Sequence, residues 1–103
     1  MSLQEIDETQ FNSAVLESKG VSVVKFGAEW CGPCRRLAPI LESISSELDV
    51  KVYSVDVDMC PNLSAKFGIK GVPATMLFKD GELKKTIVGL TNKQEFVSAI
   101  NCL

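Results

Sequence analysis

The chain contains no histidine, which removes every imidazole base and every mixed Cys/His metal site from consideration. It has no positive excess either. Eleven lysines and arginines stand against 13 acids, giving a net charge of -2 and a pI near 5.1, and the basic residues are scattered. No basic field is therefore available for nucleic acid or an anionic membrane surface. Nowhere do eighteen apolar residues run together, and the opening MSLQEIDETQF is acidic and lacks the charged-then-apolar order of an export signal. A membrane span is not expected, and the expected location is the cytoplasm. In such a reducing compartment four cysteines are poor material for a permanent disulfide framework, so a close pair points to catalysis or metal binding.

What is present suits one compact domain over residues 1–103: 46% of the chain is apolar and 23% charged, enough for a single modest core. Phe11, Val15 and Leu16 share one face of a helix expected over Thr9 to Lys19, stopped by Gly20. Val21 to Phe26 is a β-branched, largely apolar run without clean alternation, the pattern of a strand covered on both faces. Leu37, Ile40, Leu41, Ile44 and Leu48 recur at helical spacing with Pro39 among them, predicting a long helix that starts at the cysteine pair and kinks at Pro39. A strand follows over Lys51 to Val57 and a short helix over Pro61 to Phe67, ending at Gly68. Thr75 to Lys79 and Leu83 to Val88 flank Asp80-Gly81, a strong hairpin signal. Thr91 with Gln94 reads as a capping box for a last helix carrying Phe96, Val97 and Ile100.

Strands alternating with helices, then a hairpin and a final helix, imply an α/β domain with a mixed sheet: parallel strands joined by crossovers plus an antiparallel edge pair. The cysteine pair falls in a loop that leaves a central strand and runs straight into a helix, which is where open α/β sheets place their sites.

Cys31 and Cys34 stand two residues apart around Gly32 and Pro33, a spacing compatible with metal ligation, a structural bridge or a reversible redox pair. The flanking residues narrow the choice. WCGPC (Trp30 to Cys34) preceded by FGAEW, then Pro39, GIKGVPAT (Gly68 to Thr75) and FKDGE (Phe78 to Glu82), resembles the thioredoxin family over essentially the whole chain. The resemblance implies a five-stranded mixed sheet with four helices, general disulfide reductase activity on disulfide-containing proteins, and re-reduction by a thioredoxin reductase. It implies no bound cofactor, the redox group being the Cys31-Cys34 pair itself, and a monomer. It further implies that Pro73 follows a cis peptide bond and faces the cysteines, and that Trp30, Gly32, Pro33, Val72 and Pro73 form a groove in which an extended substrate strand pairs with backbone near Val72.

Within that frame the chemistry follows residue by residue. Cys31, at the N-terminal end of its helix, has unpaired N–H groups and the positive dipole end to favour thiolate, making it the nucleophile. Cys34, one turn in, attacks the mixed disulfide and releases the reduced substrate. Pro33 suits a first helical turn, and Gly32 lets another chain approach the sulfur. Lowering a thiol pKa from about 8.5 by about 1.5 units raises the thiolate fraction at neutral pH roughly fifteenfold, while reduced basicity returns about fivefold. Most of the rate must therefore come from positioning. Arg35 and Arg36 oppose the helix dipole, although exposed charges of this kind are weak.

Two further readings compete: a thioredoxin-like binding module that holds a partner without turnover, and an oxidant or isomerase. Intact Cys31 and Cys34 favour an enzyme over a docking module, and Gly-Pro between the cysteines resembles reductases more than oxidising relatives. A four-cysteine zinc site is disfavoured because one C-x-x-C is followed by two isolated cysteines. Cys60 and Cys102 read as partly exposed thiols, with Cys60 the stronger regulatory candidate because it opens a helix. Asp56 and Asp58 read as solvated acids.

The chain departs from the family pattern at four positions. Lys25 stands where a buried acid is general, Gly27 where tryptophan is frequent, Ser54 where lysine is common and Ala74 where threonine is frequent. The usual carboxylate base for the resolving thiol cannot be carried over. Lys25, on the central strand below the cysteine turn, becomes a candidate for tuning the thiols and serving as base.

Overall fold

The computed structural model describes residues 3–103. Its elements run β1 (Gln4–Glu5), α1 (Glu8–Phe11, continued by a π-helical turn over Asn12–Leu16), β2 (Val21–Gly27), α2 (Gly32–Glu47), β3 (Val50–Asp56), α3 (Pro61–Lys66), β4 (Ala74–Lys79), β5 (Glu82–Val88) and α4 (Lys93–Asn101). The strands form one sheet in the order β1-β3-β2-β4-β5, parallel from β1 to β2 and antiparallel from β2 to β5. This is the mixed five-stranded sheet flanked by four helices that the family resemblance implied.

Alternation along β2 divides the core. Val24 and Phe26 face the layer of α1 and α3 with Phe11, Phe78 and Val55, whereas Val23 faces α2 and α4 with Leu37, Leu41, Ile44, Leu77 and Phe96. Both faces being covered explains why β2 reads as a continuous apolar run. Each fully buried Leu or Ile on α2 contributes roughly 1.5 to 3 kcal/mol, so the helix that carries Cys34 is fixed firmly against the sheet.

Several local expectations need correction. The first helix ends at Leu16 rather than Lys19. Its last turn is of π type, with the Glu17 N–H donating to the Asn12 carbonyl at 2.9 Å, and Gly20 lies beyond the end at φ +82°. Its start is a capping box made by Asp7 and Gln10. Helix α2 begins at the cysteine pair as expected and contains Pro39, whose missing N–H leaves the Arg35 carbonyl without an i+4 donor. At α4 the N-cap is Asn92, not Thr91: its Oδ1 accepts the Glu95 N–H at 2.9 Å. The register is one residue later than the Thr91/Gln94 pattern because Asn caps as well as Thr.

The hairpin forms as expected, with Lys79 paired to Glu82 and both loop residues, Asp80 and Gly81, at positive φ. Gly81 is required twice over, since a Cβ there would stand 2.0 Å from the Leu16 carbonyl oxygen. Asp80 and Gly20 bond reciprocally, Gly20 N–H to Asp80 Oδ1 at 2.8 Å and Asp80 N–H to the Gly20 carbonyl at 2.9 Å. These contacts close the end of the sheet opposite the cysteines. Among the described residues, no helix is long and apolar enough to cross a membrane.

Candidate active site

The end of β2 and the start of α2 place the cysteines. Cys31 is the N-cap of α2 in extended conformation, with Gly32 and Pro33 in the first turn. Its Sγ accepts the Cys34 N–H at 3.1 Å, one of the amide donors that a helix start leaves without a backbone partner. Cys31 and Cys34 form a disulfide, their Cα atoms 5.3 Å apart. Residue exposure is 4% for Cys31 and 2% for Cys34, so the pair lies just under the surface with the first cysteine nearer to it. Ala28, Val57 and Val72 form one apolar cluster with the two cysteines.

The Val72–Pro73 peptide is cis, as the resemblance implied, and the Pro73 carbonyl accepts the Gly89 N–H at 2.8 Å, tying this loop to the end of β5. Trp30 is 68% exposed, and its Nε1–H donates to Asp58 Oδ2 at 2.9 Å. Asp58 is thus engaged with the indole rather than simply solvated. A depression of about 150 Å³ lies between Trp30 and Val72, floored by Val57 and Ile69 and bordered by Gly71. Sequence reading missed Asp58, Val57, Ile69 and Gly71 as contributors. The available signal was positional, because Val57 and Asp58 follow the carboxyl end of a strand adjacent to β2. Arg35 donates from Nη1 to the Glu29 carbonyl, bracing the turn that leads into Cys31.

Lys25 is 9% exposed and pairs with Ser54 on one side and Thr75 on the other. It shares the α2 face with Gly27. A Cβ built on Gly27 would lie 3.1 Å from Cys34 Sγ and 3.4 Å from Lys25 Cε, so the space glycine leaves is bordered by the amine-bearing chain and the second sulfur. The amine makes no hydrogen bond or ion pair among the described residues. Burial pushes the Lys25 amine below its usual range, opposed by the attraction of Glu5 and then Glu42.

Cys60 differs from its expectation. It is buried, and its thiol is raised by desolvation first and by the nearby Glu8 charge second. The helix start that should have favoured thiolate is already occupied. Glu8 Oε1 accepts the N–H groups of Asn62 at 2.9 Å and Leu63 at 3.1 Å, capping α3 from 54 residues away. Glu8→Ala is therefore expected to cost about 1 kcal/mol in urea unfolding, the usual loss for a helix cap. Cys102 is exposed and unpaired. Among the described residues, no group of three or more acids or cysteines is arranged to hold a metal.

The Thioredoxin family model matches residues 2–102. The chain belongs to the thioredoxin family. It is 44% identical to the thioredoxin of Rickettsia felis over 98 residues, covering 93% of each chain, and 42% identical to that of Buchnera aphidicola over 99 residues, covering 94% of this chain and 91% of the other. Among solved structures it resembles a mutant thioredoxin from Halobacterium salinarum, with a TM-score of 0.88 at 31% identity over 96% of this chain and 89% of that one. With the Cys31-Cys34 disulfide in place, this thioredoxin is a thiol-disulfide oxidoreductase whose redox group is part of its own chain.

Proposed function

We propose that this thioredoxin reduces disulfides in proteins of a reducing, cytoplasmic compartment and is itself re-reduced by a thioredoxin reductase, working as a single domain and a monomer. One observation carries the division of labour: Cys31 caps α2 and accepts the Cys34 N–H. In the reduced protein the same amide and the helix start stabilise a Cys31 thiolate. That thiolate attacks a substrate sulfur, and one substrate thiolate leaves. Cys34 loses its proton, attacks Cys31, restores the intramolecular disulfide and expels the second substrate thiolate.

Binding is assigned to Trp30, Gly32, Pro33, Val72 and Pro73. Among the described residues, the backbone N–H and carbonyl of Val72 have no hydrogen-bond partner, which leaves them able to pair with an extended substrate strand. Lys25 serves as tuner and base: its charged form favours thiolate at the pair, and its neutral form accepts the Cys34 proton.

Insulin reduction followed by turbidity, with a chemical reductant supplying electrons, tests the reading. The chain is expected to bring forward the onset of precipitation in proportion to its concentration. A curve that overlays the reductant alone would identify a docking module in place of a reductase.

A further inference from the structure

A row of polar side chains crosses the sheet beneath the cysteine turn. Register pairs Glu5 with Ser54, Ser54 with Lys25 and Lys25 with Thr75, so all four stand side by side on the α2 face. Glu5 is the one acid in that row. Two strand spacings of about 4.8 Å each put it roughly 10 Å from Lys25 at the backbone. A pocket of about 220 Å³ is lined by both residues and reaches Gly27 and Cys34.

The charged and polar groups around Lys25 come from every neighbouring element: Glu5 from β1, Cys34, Arg35 and Glu42 from α2, Ser54 and Asp56 from β3, Thr75 from β4 and Glu29 from the turn. Arg35 is turned to the Glu29 carbonyl, and Asp56 Oδ1 accepts the Asp58 N–H at 2.9 Å. Glu5 makes no side-chain hydrogen bond or ion pair among the described residues, so its carboxylate is uncommitted. Of the acids acting on the amine, it exerts the largest attraction.

We infer that Glu5 is the counter-charge of Lys25, a positioning residue that sets, through the amine, the pH at which Cys34 gives up its proton and resolves the mixed disulfide. The inference rests on the reading of Lys25 as base. Glu5 favours the ammonium and so holds the rising limb of the resolving step at higher pH. Removing the charge makes the amine neutral more readily and moves the limb to lower pH. Across a partly hydrated gap of this length the shift is about half a pH unit, or about threefold at fixed pH.

Stopped-flow reaction of the reduced protein with excess dithionitrobenzoate reads this directly. Cys31 attacks first and releases one nitrothiobenzoate. Cys34 then attacks the Cys31 sulfur, its proton passing to the amine, and releases the second. A Cys102→Ser background removes the other exposed thiol. The second phase of Glu5→Gln is expected to follow a pH profile displaced downward by about half a unit, with the displacement lost in 1 M salt and absent when Lys25→Met is also present. If Glu5→Gln overlays the parent while Lys25→Met alters the profile, the inference fails and Lys25 remains the base. An equal displacement with Met at position 25 also overturns it, since Glu5 then acts on the thiols without the amine. No change in either variant removes both readings.

Discussion

Cys31→Ser is expected to abolish turnover, with a loss on the order of a thousandfold or more in insulin reduction, because a serine hydroxyl is not ionised at the helix start and cannot open a disulfide. Cys34→Ser should behave differently. Its Cys31 still attacks, and with no thiol one turn into α2 the reaction stops at a mixed disulfide with the substrate. Mass spectrometry of the two variants after exposure to a disulfide-bonded protein separates the roles: a covalent adduct on Cys34→Ser and none on Cys31→Ser. The opposite distribution would reverse nucleophile and resolving thiol. Cys60 does not blur the result, since it is buried and its thiol is pushed upward.

Replacing Lys25 should change stability and redox poise together. Burial disfavours the ammonium, so its folded-state pKa lies below the unfolded value of about 10.4. Below the folded pKa the full cost of the buried charge is present. Between the two values the unfolded chain binds the extra proton, and stability rises with pH until the cost disappears. Lys25→Met keeps the length of the side chain and removes the charge. It is expected to stabilise the oxidised protein by about 1 to 3 kcal/mol at pH 7 in urea unfolding, with the advantage shrinking as pH approaches about 10. An advantage that stays constant from pH 7 to 10 would locate the gain in packing and not in charge.

The redox consequence has a definite sign. Each unit by which a thiol pKa falls below the working pH stabilises the reduced form by about 1.4 kcal/mol, or about 30 mV for two electrons. A cationic Lys25 near Cys34 is therefore expected to make the couple less negative than Asp at the same position would. Lys25→Asp is expected to lower the potential and raise the apparent thiol pKa, with Lys25→Met between the two, measured by equilibration with glutathione. The titrations of amine and thiols are coupled and belong to the group as a whole. Potentials that coincide in all three proteins would leave Lys25 with no electrostatic part in the chemistry.

Long periodic elements were legible because their pattern exceeds local ambiguity: the α2 spacing from Leu37 to Ile44, the doubly covered β2, and the Asp80-Gly81 turn all stand in the structure. Strand β1 was visible only through the family resemblance, since two residues, Gln4 and Glu5, carry no periodicity. Contacts between distant residues were beyond local reading. Glu8 reaches the start of α3 across 54 residues, and its charge adds to the larger effect of burial in raising the Cys60 thiol. Asp58 reads as a loop acid until Trp30 is seen to donate to it. At Lys25 the sequence disclosed an unusual residue on a central strand, but not which residues of other strands stand beside it. The acid Glu5 stands beyond Ser54 in the same row, on the edge.

Trp30 is the single tryptophan of the chain, and it sits one residue before Cys31. Disulfides quench indole emission at short range, so the whole ultraviolet-excited indole signal of this protein originates beside its redox couple. Intrinsic fluorescence is thus a built-in gauge of oxidation state and of substrate occupancy, needing no label. The same placement makes it a poor witness to the far end of the sheet, where loss of the Asp80–Gly20 clasp would pass without an optical trace.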